Sequence, residues 1–329
     1  MPSHDVMPNM ELYQPVQVED ALEIADRLAD RGWLVGGGQD TYGWLKDRAK
    51  DVDALIDLSA IESLRGIRET ADGVEIGALT TLTEIINSDV LKNSYALLTD
   101  AAGVVASPQI RNIGTLGGNV SQDVRCWYYR RGLSCYRAGG NLCYADTPEG
   151  MNREHALFDA SRCVAAGASD TSSALVALDA SMVIENSSGE RVVSAEDFFV
   201  GPANDIENTT ILRPGDILTA VRIPSTWANA SFYWEKVADR NVWDFSLVNI
   251  AAAFKLSGGN ITDSRIVAGA VQTTPRRLTN VESAVQGQPK NQETGESVMN
   301  MATDGARALA HNGFKVPLLQ NLVKRAISA

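Results

Sequence analysis

All four cysteines of this 329-residue chain lie between Cys126 and Cys163, and none occurs elsewhere. This clustering limits the fold more than any other feature, because four thiols in one short segment point to one shared ligand set. The gaps are wide, from Cys126 to Cys135, Cys135 to Cys143 and Cys143 to Cys163. Structural zinc is usually held by C-x2-4-C pairs whose short loops put both sulfurs on one tetrahedral face, and no C-x-x-C pair is present. Two disulfides suit an oxidising compartment and a small stapled domain, whereas a chain of this length buries a large core without staples. A cubane iron–sulfur cluster takes four thiolates around a cage wider than one ion, which irregular loops can supply. Gly132, Gly139 and Gly140 lie between the thiols and would let the backbone wrap closely. The bland reading, four small buried apolar residues, has the exclusive clustering against it. His155, inside the segment, reads as a packing or hydrogen-bonding residue, since four cysteines already complete a ligand set. Trp127, Tyr128 and Tyr129 read as a wall between that set and solvent.

The cysteines begin seven residues after a glycine-rich run, Gly114-Thr115-Leu116-Gly117-Gly118-Asn119. A second such run, Gly36-Gly37-Gly38-Gln39-Asp40-Thr41, follows the short apolar strand Trp33-Leu34-Val35. Successive glycines after a strand leave bare amides that curl around an anion, and two such loops suit a dinucleotide pyrophosphate gripped from both sides. A pair of unrelated tight turns fits the spacing equally well. Neither run has the G-x-G-x-x-G spacing of a Rossmann site.

Other patterns fill in the frame. Ala21, Ile24, Ala25 and Leu28 form the apolar stripe of a helix beginning at Val18, with Gly32 as its stop. Asp53 to Leu58 and Gly73 to Ala78 read as strands, and Thr81 with Glu84 forms a capping box that starts a helix. These elements predict alternating α and β structure in one mixed sheet. A helix over Ala101 to Ala106 is expected to end at Pro108. Ala174 to Ala180 reads as a small-residue helix or strand. A hairpin with a Ser-Gly turn follows at Met182 to Val193. Leu247 to Phe254 and Ile266 to Val271 read as strands, and Leu319, Leu322, Val323 and Ala326 mark a final helix begun by Pro317.

The net charge of −12 and the lack of a basic stripe argue against nucleic-acid binding. No apolar run is long enough to span a bilayer. The opening MPSHDVMPNMELYQ, with His4 in a loose terminus, has neither the charged nor the apolar region of an export signal. Cytoplasmic residence is therefore expected, with co-export beside a signal-bearing partner as the periplasmic alternative. No Ser/His/Asp set or paired carboxylates support hydrolysis.

The segments VGGGQDT, IGALTTL, QIRNIGTLGGN, ASDTSSALVALDA, LRPGDILTAVRIP and EKVADRNVWDFSLVNIAAAF, in that order over nearly the whole chain, resemble the FAD-binding subunit of the molybdenum hydroxylases. This is the xanthine dehydrogenase and carbon monoxide dehydrogenase superfamily. The cysteine segment, with RAGGNLCYA and NREHALF, resembles the branch that carries an extra [4Fe-4S] cluster, as in aldehyde oxidoreductases and 4-hydroxybenzoyl-CoA reductase. The resemblance implies an α+β fold. A two-part FAD-binding domain of the PCMH type would span residues 1–225, with the cluster insertion at about 120–165. A smaller α+β domain would span residues 226–329.

Site residues follow by the same resemblance. Val35, Gly36, Gly37, Gly38, Gln39, Asp40 and Thr41 would form the first pyrophosphate loop, and Gly114, Thr115, Gly117, Gly118 and Asn119 the second. Asp170 would accept hydrogen bonds from ribityl or ribose hydroxyls, and Lys236 would stabilise negative charge on the reduced flavin. Cys126, Cys135, Cys143 and Cys163 would be the cluster ligands. No residue of this chain is implied as catalytic toward substrate. An aldehyde or aromatic compound would be oxidised on a large molybdopterin-binding partner. Electrons would then pass through a small subunit with two [2Fe-2S] clusters to FAD here, and on to ferredoxin, NAD, quinone or oxygen. Three alternatives stand beside this heterotrimer: a 4-hydroxybenzoyl-CoA reductase-like complex with electrons running from ferredoxin to molybdenum, a self-sufficient flavoprotein oxidase, and a zinc-bearing scaffold without enzymatic activity.

Overall fold

The computed structural model describes residues 9–329; His4 and the first eight residues of the opening segment lie outside the described residues. The strands sort into three sheets. Strands β1 (Glu11–Tyr13), β2 (Gly32–Val35) and β3 (Ala54–Asp57) form an all-parallel sheet in the order β1-β3-β2. The crossover from β1 to β2 is the helix Val18–Leu28, with Glu19 and Asp20 in its first turn and Arg27 in its last, charges that complement the helix dipole. Its Ala21, Ala25 and Leu28 are buried against Ile56 and Leu58. The helix stops at Leu28 rather than at Gly32, and a 3-10 turn, Ala29–Arg31, intervenes. Gly32 is needed for space: a Cβ there would sit 2.9 Å from the Leu28 Cβ.

The second sheet contains β4 (Ile67–Thr70), β5 (Gly73–Gly77), β6 (Ser181–Asn186), β7 (Gly189–Ser194) and β8 (Ile217–Pro224), in the order β4-β5-β8-β6-β7 and antiparallel throughout. The expected single mixed sheet is thus corrected to a parallel and an antiparallel one. The strand at Asp53–Leu58 belongs to the first and that at Gly73–Ala78 to the second. Parallel pairing needs a long crossover, which the helix after β1 supplies, whereas tight turns such as that joining β4 to β5 impose antiparallel pairing. Pro108 is a further correction. The helix Ala96–Gly103 has already ended, and Pro108 occupies the first turn of a short new helix, Pro108–Arg111, capped by Ser107. A proline lacks the N–H that a first turn leaves unbonded in any case.

The third sheet, β9 (Ser231–Val237), β10 (Val248–Ser257), β11 (Asn260–Gly269) and β12 (Arg276–Arg277), is antiparallel in the order β12-β11-β10-β9. The C-terminal helix Lys315–Ser328 covers it with Leu319, Leu322, Val323 and Ala326, and starts two residues before Pro317. Between the second and third sheets runs the helix Asp170–Ala177, every residue of which is buried. Leu175 and Val176 share one core with Met182 and Val221 on one side and with Ala251 and Val267 on the other. The cysteine segment is mostly irregular, holding only the one-turn helices Trp127–Arg130 and Tyr136–Ala138. Among the described residues no helix is long and apolar enough to cross a membrane.

Candidate functional site

The two glycine runs meet where the parallel sheet abuts the antiparallel one. The first leaves β2 with Gly37 and Gly38 at φ 85° and 69°, a left-handed geometry that favours glycine. Close approach also excludes a side chain, since a Cβ on Gly37 would lie 2.3 Å from the Ile113 carbonyl oxygen. The second run is pinned by Gly117 N–H donating to Ala78 O (2.8 Å) and Leu82 N–H donating to Gly114 O (2.9 Å). Thr115, almost wholly buried, joins the two. Its Oγ1 donates to Gly36 O (2.9 Å) and accepts from Gly118 N–H (3.1 Å), capping the helix Leu116–Val120. Among the described residues the N–H groups of Gly37, Gly38, Gln39, Asp40 and Thr41 donate to no other group of the chain. Five successive free amides, those of Gly38 to Thr41 in residues that line a cavity, make an anion cradle.

The loops border two adjoining cavities. One, about 540 Å³, is lined by Gly36, Gly38, Gln39, Asp40, Thr41, Gly114, Thr115, Gly118, Asn119 and Asp170. The other, about 590 Å³, shares Trp33, Leu34, Gly36, Lys50 and Gly118 with it and adds Gly117. Val35, Gly37 and Lys236 line neither; Val35 is buried beneath the loop.

Asp40 contributes differently from its neighbours. Its carboxylate is turned to the cysteine segment, accepting from Arg130 Nη2 (2.5 Å) and Asp123 N–H (3.1 Å), with Arg125 Nη1 at 3.3 Å. Burial works against its ionisation, but Arg125 and Arg130 outweigh it and hold the carboxyl below the usual range. Burial pushes Arg125 down to about 10. Only the backbone of Asp40 is therefore free for an anion.

Asp170 and Lys236 come together as a buried ion pair of 2.7 Å. Asp170 Oδ1 also accepts from Ser246 Oγ (2.6 Å) and Asn249 Nδ2 (3.3 Å). The remaining two Lys236 donors go to Val104 O (3.1 Å) and Asp244 O (2.8 Å). All three ammonium donors are thus engaged within the chain, and Lys236 acts on the cavity through Asp170 rather than by its own contact. Asn119 links the second loop to this region, its Oδ1 accepting from Ser169 Oγ (2.7 Å) and Thr171 Oγ1 (2.6 Å) at the start of the buried helix.

Sequence reasoning missed other wall residues. Lys50 bonds Asp123 (2.7 Å) and sits over the rings of Trp33, Trp44 and Tyr129. Trp243, Asp244 and Phe245 form the rim. Trp243, at φ 57°, donates its N–H to Ala106 O (2.8 Å), and Arg125 lies 4.6 Å from the centre of the Phe245 ring. The 35–41 and 114–119 runs carried a local glycine signal, whereas these residues are single side chains gathered from distant loops.

The four cysteines are free thiols, in keeping with the disfavoured standing of two disulfides. All four sit on loops and line one small cavity together with Tyr128, Tyr129, Arg137 and His155. Trp127 lies outside that wall, stacked on Tyr128 and partly exposed. Among the described residues no group of three or more His, Cys, Asp or Glu side chains is arranged to hold a metal ion. The free space between the thiols is about 10 Å³, room for about one water. In donor chemistry, four free thiols on loops around one cavity, the set matches what a cubane takes. Burial pushes the Cys126 thiol up to about 12 and raises that of Cys143 as well, so binding a metal there releases protons. His155 Nε2 lies 3.3 Å from Cys126 Sγ, and burial, with Lys315 nearby, lowers its pKa to about 4, leaving a neutral ring.

Two interlocked glycine loops bordering a cleft of this size make a site suited to the pyrophosphate of a dinucleotide. Residues 8–226 match the family model of the FAD binding domain in molybdopterin dehydrogenase, and residues 234–329 that of the CO dehydrogenase flavoprotein C-terminal domain. The chain belongs to the FAD-binding medium chains of the molybdopterin oxidoreductases, the xanthine dehydrogenase and CO dehydrogenase superfamily. It is 25% identical to the carbon monoxide dehydrogenase medium chain of Hydrogenophaga pseudoflava, over 98% of each chain. It is 29% identical to the aldehyde oxidoreductase FAD-binding subunit PaoB of Escherichia coli, over 96% of each. A solved structure of the Hydrogenophaga pseudoflava carbon monoxide dehydrogenase superposes with a TM-score of 0.77 at 25% identity, covering 98% of this chain and 97% of that one. The α+β architecture, a PCMH-type FAD-binding domain followed by a smaller α+β domain, is that of these relatives.

Proposed function

We propose that this chain is the FAD-carrying, electron-transferring subunit of a heteromeric molybdopterin-dependent oxidoreductase. It would assemble with a large molybdopterin-binding chain, where an aldehyde or aromatic substrate is oxidised, and a small chain with two [2Fe-2S] clusters. The observation that carries the reading is the pair of loops locked by Thr115, with five adjacent amides left unpaired.

The free N–H groups of Gly37 to Thr41 would hold the FAD pyrophosphate, with Gly114, Thr115, Gly117, Gly118 and Asn119 as the opposing jaw. Thr115 keeps the jaws in register, and Asp40 holds its loop rigid through Arg125 and Arg130. Asp170, oriented by Lys236, Ser246 and Asn249, presents an acceptor to ligand hydroxyls. Bound FAD supplies the exchange of one or two electrons between one-electron centres and an acceptor such as ferredoxin, NAD, quinone or oxygen.

Cys126, Cys135, Cys143 and Cys163 would hold a [4Fe-4S] cluster, which supplies one-electron transfer when bound. This is supported by four free thiols on loops around one cavity. The two units are assigned to residues 1–225, carrying the cysteine insertion at about 120–165, and to residues 226–329. Cytoplasmic residence is part of this reading, and recovery in a periplasmic fraction would instead show export with a partner.

The test is a joint assay of FAD, iron, acid-labile sulfide and zinc on the chain purified without air. One FAD per chain, with iron and sulfide, is expected. Absence of FAD refutes the function, and zinc without sulfide refutes the cluster assignment.

A further inference from the structure

Arg137 is out of place for an arginine. It is 3% exposed and sits in the wall of the four-cysteine cavity. Only Nη1 is engaged, donating to Glu207 O at 2.8 Å and lying 3.6 Å from Asp123 Oδ1. Its Nε and Nη2 are buried and have no partner among the described residues. Burying a guanidinium is costly, and leaving two of its N–H groups unpaired adds to that cost. Such a defect is expected where a missing acceptor completes the bonding. Cys163 lines the same cavity wall, and Asp123 stands on the guanidinium's other side. The other arginine of the cavity, Arg162, spends its Nη2 on Pro202 O.

We propose that Arg137 is a positioning residue for the group held by the cysteines. Its Nε and Nη2 donate to the Cys163 sulfur and to the sulfur of that group, anchoring the cage and raising its reduction potential. The inference rests on the cluster reading above. Hydrogen bonds to cluster sulfurs stabilise the more negative reduced form and move the potential upward. The guanidinium suits the role because its fork serves two acceptors in one plane and it stays charged when buried. Nη1, on Asp123, fixes the fork from behind, and Asp123 itself lines the larger glycine-loop cavity's neighbour at 540 Å³.

The experiment uses the assembled complex, with iron, sulfide and FAD assayed and the midpoint of the cysteine-held cluster followed by EPR during redox titration. Wild-type complex with FAD but no iron or sulfide in this chain defeats the cluster reading, and this inference with it. With the cluster present, Arg137→Met is expected to keep FAD and to raise the oxidised-to-reduced ratio at fixed potential at least tenfold. That is a downward shift of about 59 mV for a one-electron couple. Loss of iron with FAD retained equally supports anchoring. An Arg137→Met complex with wild-type iron and midpoint overturns the proposal and leaves the cluster reading standing. Should Arg137→Met fail to retain FAD, Arg137→Lys decides: it keeps a cation for Asp123 and loses the fork. Its midpoint is expected below wild type, and an unchanged one overturns the proposal. A variant-free measurement covers the case in which neither protein folds. Pulsed EPR of reduced wild type grown on guanidino-15N arginine is expected to show nitrogen coupling to the cluster, and its absence refutes the assignment.

Discussion

Thr115→Val removes one hydroxyl and preserves shape, which makes it a sharp probe of the loop clamp. The hydroxyl does two jobs, donating to Gly36 O at 2.9 Å and accepting from Gly118 N–H at 3.1 Å. Loss of a helix cap costs about 1 kcal/mol, and loss of a neutral hydrogen bond about another 1 kcal/mol. The total is about 2 kcal/mol, and if the clamp must form to present the amides of Gly37 to Thr41, most of it appears in FAD binding. At 1.4 kcal/mol per tenfold, the FAD dissociation constant is expected to rise about 30-fold. Thr115→Ser retains both bonds and is expected to stay within about threefold of wild type, a bound set by the usual scatter of surface-scale effects. Fluorescence titration of the flavin-stripped chain with FAD reads both variants. Equal affinities for Thr115→Val and Thr115→Ser would refute the coupling of the two loops through this hydroxyl.

Three further outcomes are expected. Cys135→Ser should lose iron and keep FAD, because the glycine loops are separate from the thiol cavity; full iron content would remove Cys135 from the ligand set. Lys236→Met strands the Asp170 carboxylate, whose side chain is 4% exposed. Breaking a buried pair in this way costs about 3–5 kcal/mol, read as a lower urea midpoint; an unchanged midpoint would show the pair to be dispensable. Lys315 is fully buried, its Nζ donating to Glu154 O, His155 O and Ala270 O, and burial lowers its pKa to about 7. An unfolded lysine titrates near about 10.4, so between these values the unfolded chain binds more protons. The penalty is whole below pH 7 and is relieved as pH rises toward 10. Stability should therefore climb with pH in that window by up to about 1.4 kcal/mol per unit more in wild type than in Lys315→Met. Parallel pH profiles would contradict it.

Local signals in the chain were legible. Thr81 and Glu84 form the capping box in full, and the expected hairpin forms, though its turn is Ser187-Ser188 rather than Ser-Gly, with Gly189 already paired to Asn186. The glycine runs were visible because left-handed φ and close backbone approach leave no room for a Cβ, a restriction written into residue type. Pro108 misled because proline ends one helix and begins another by the same chemistry, and only the hydrogen bond from Ile110 N–H to the Ser107 hydroxyl distinguishes the two. The side-chain roles of Asp40 and Lys236 were illegible for a different reason. Each spends its charge on partners far off in sequence, Arg130 for the one and Asp170 for the other.

The sequence by itself determined the two glycine loops, the confinement of the four cysteines to one segment and the family, since each is written in residue types and their order along the chain. The tertiary structure alone decided that the loops lock through Thr115 and that the strands split into three sheets. It also decided that Asp170 faces the cavity while Lys236 stands behind it, and that Arg137, with two N–H groups unpaired among the described residues, lies in the wall of the thiol cavity. Those outcomes depend on long-range packing, which fixes where a buried charge finds its partner and which donors are left without one.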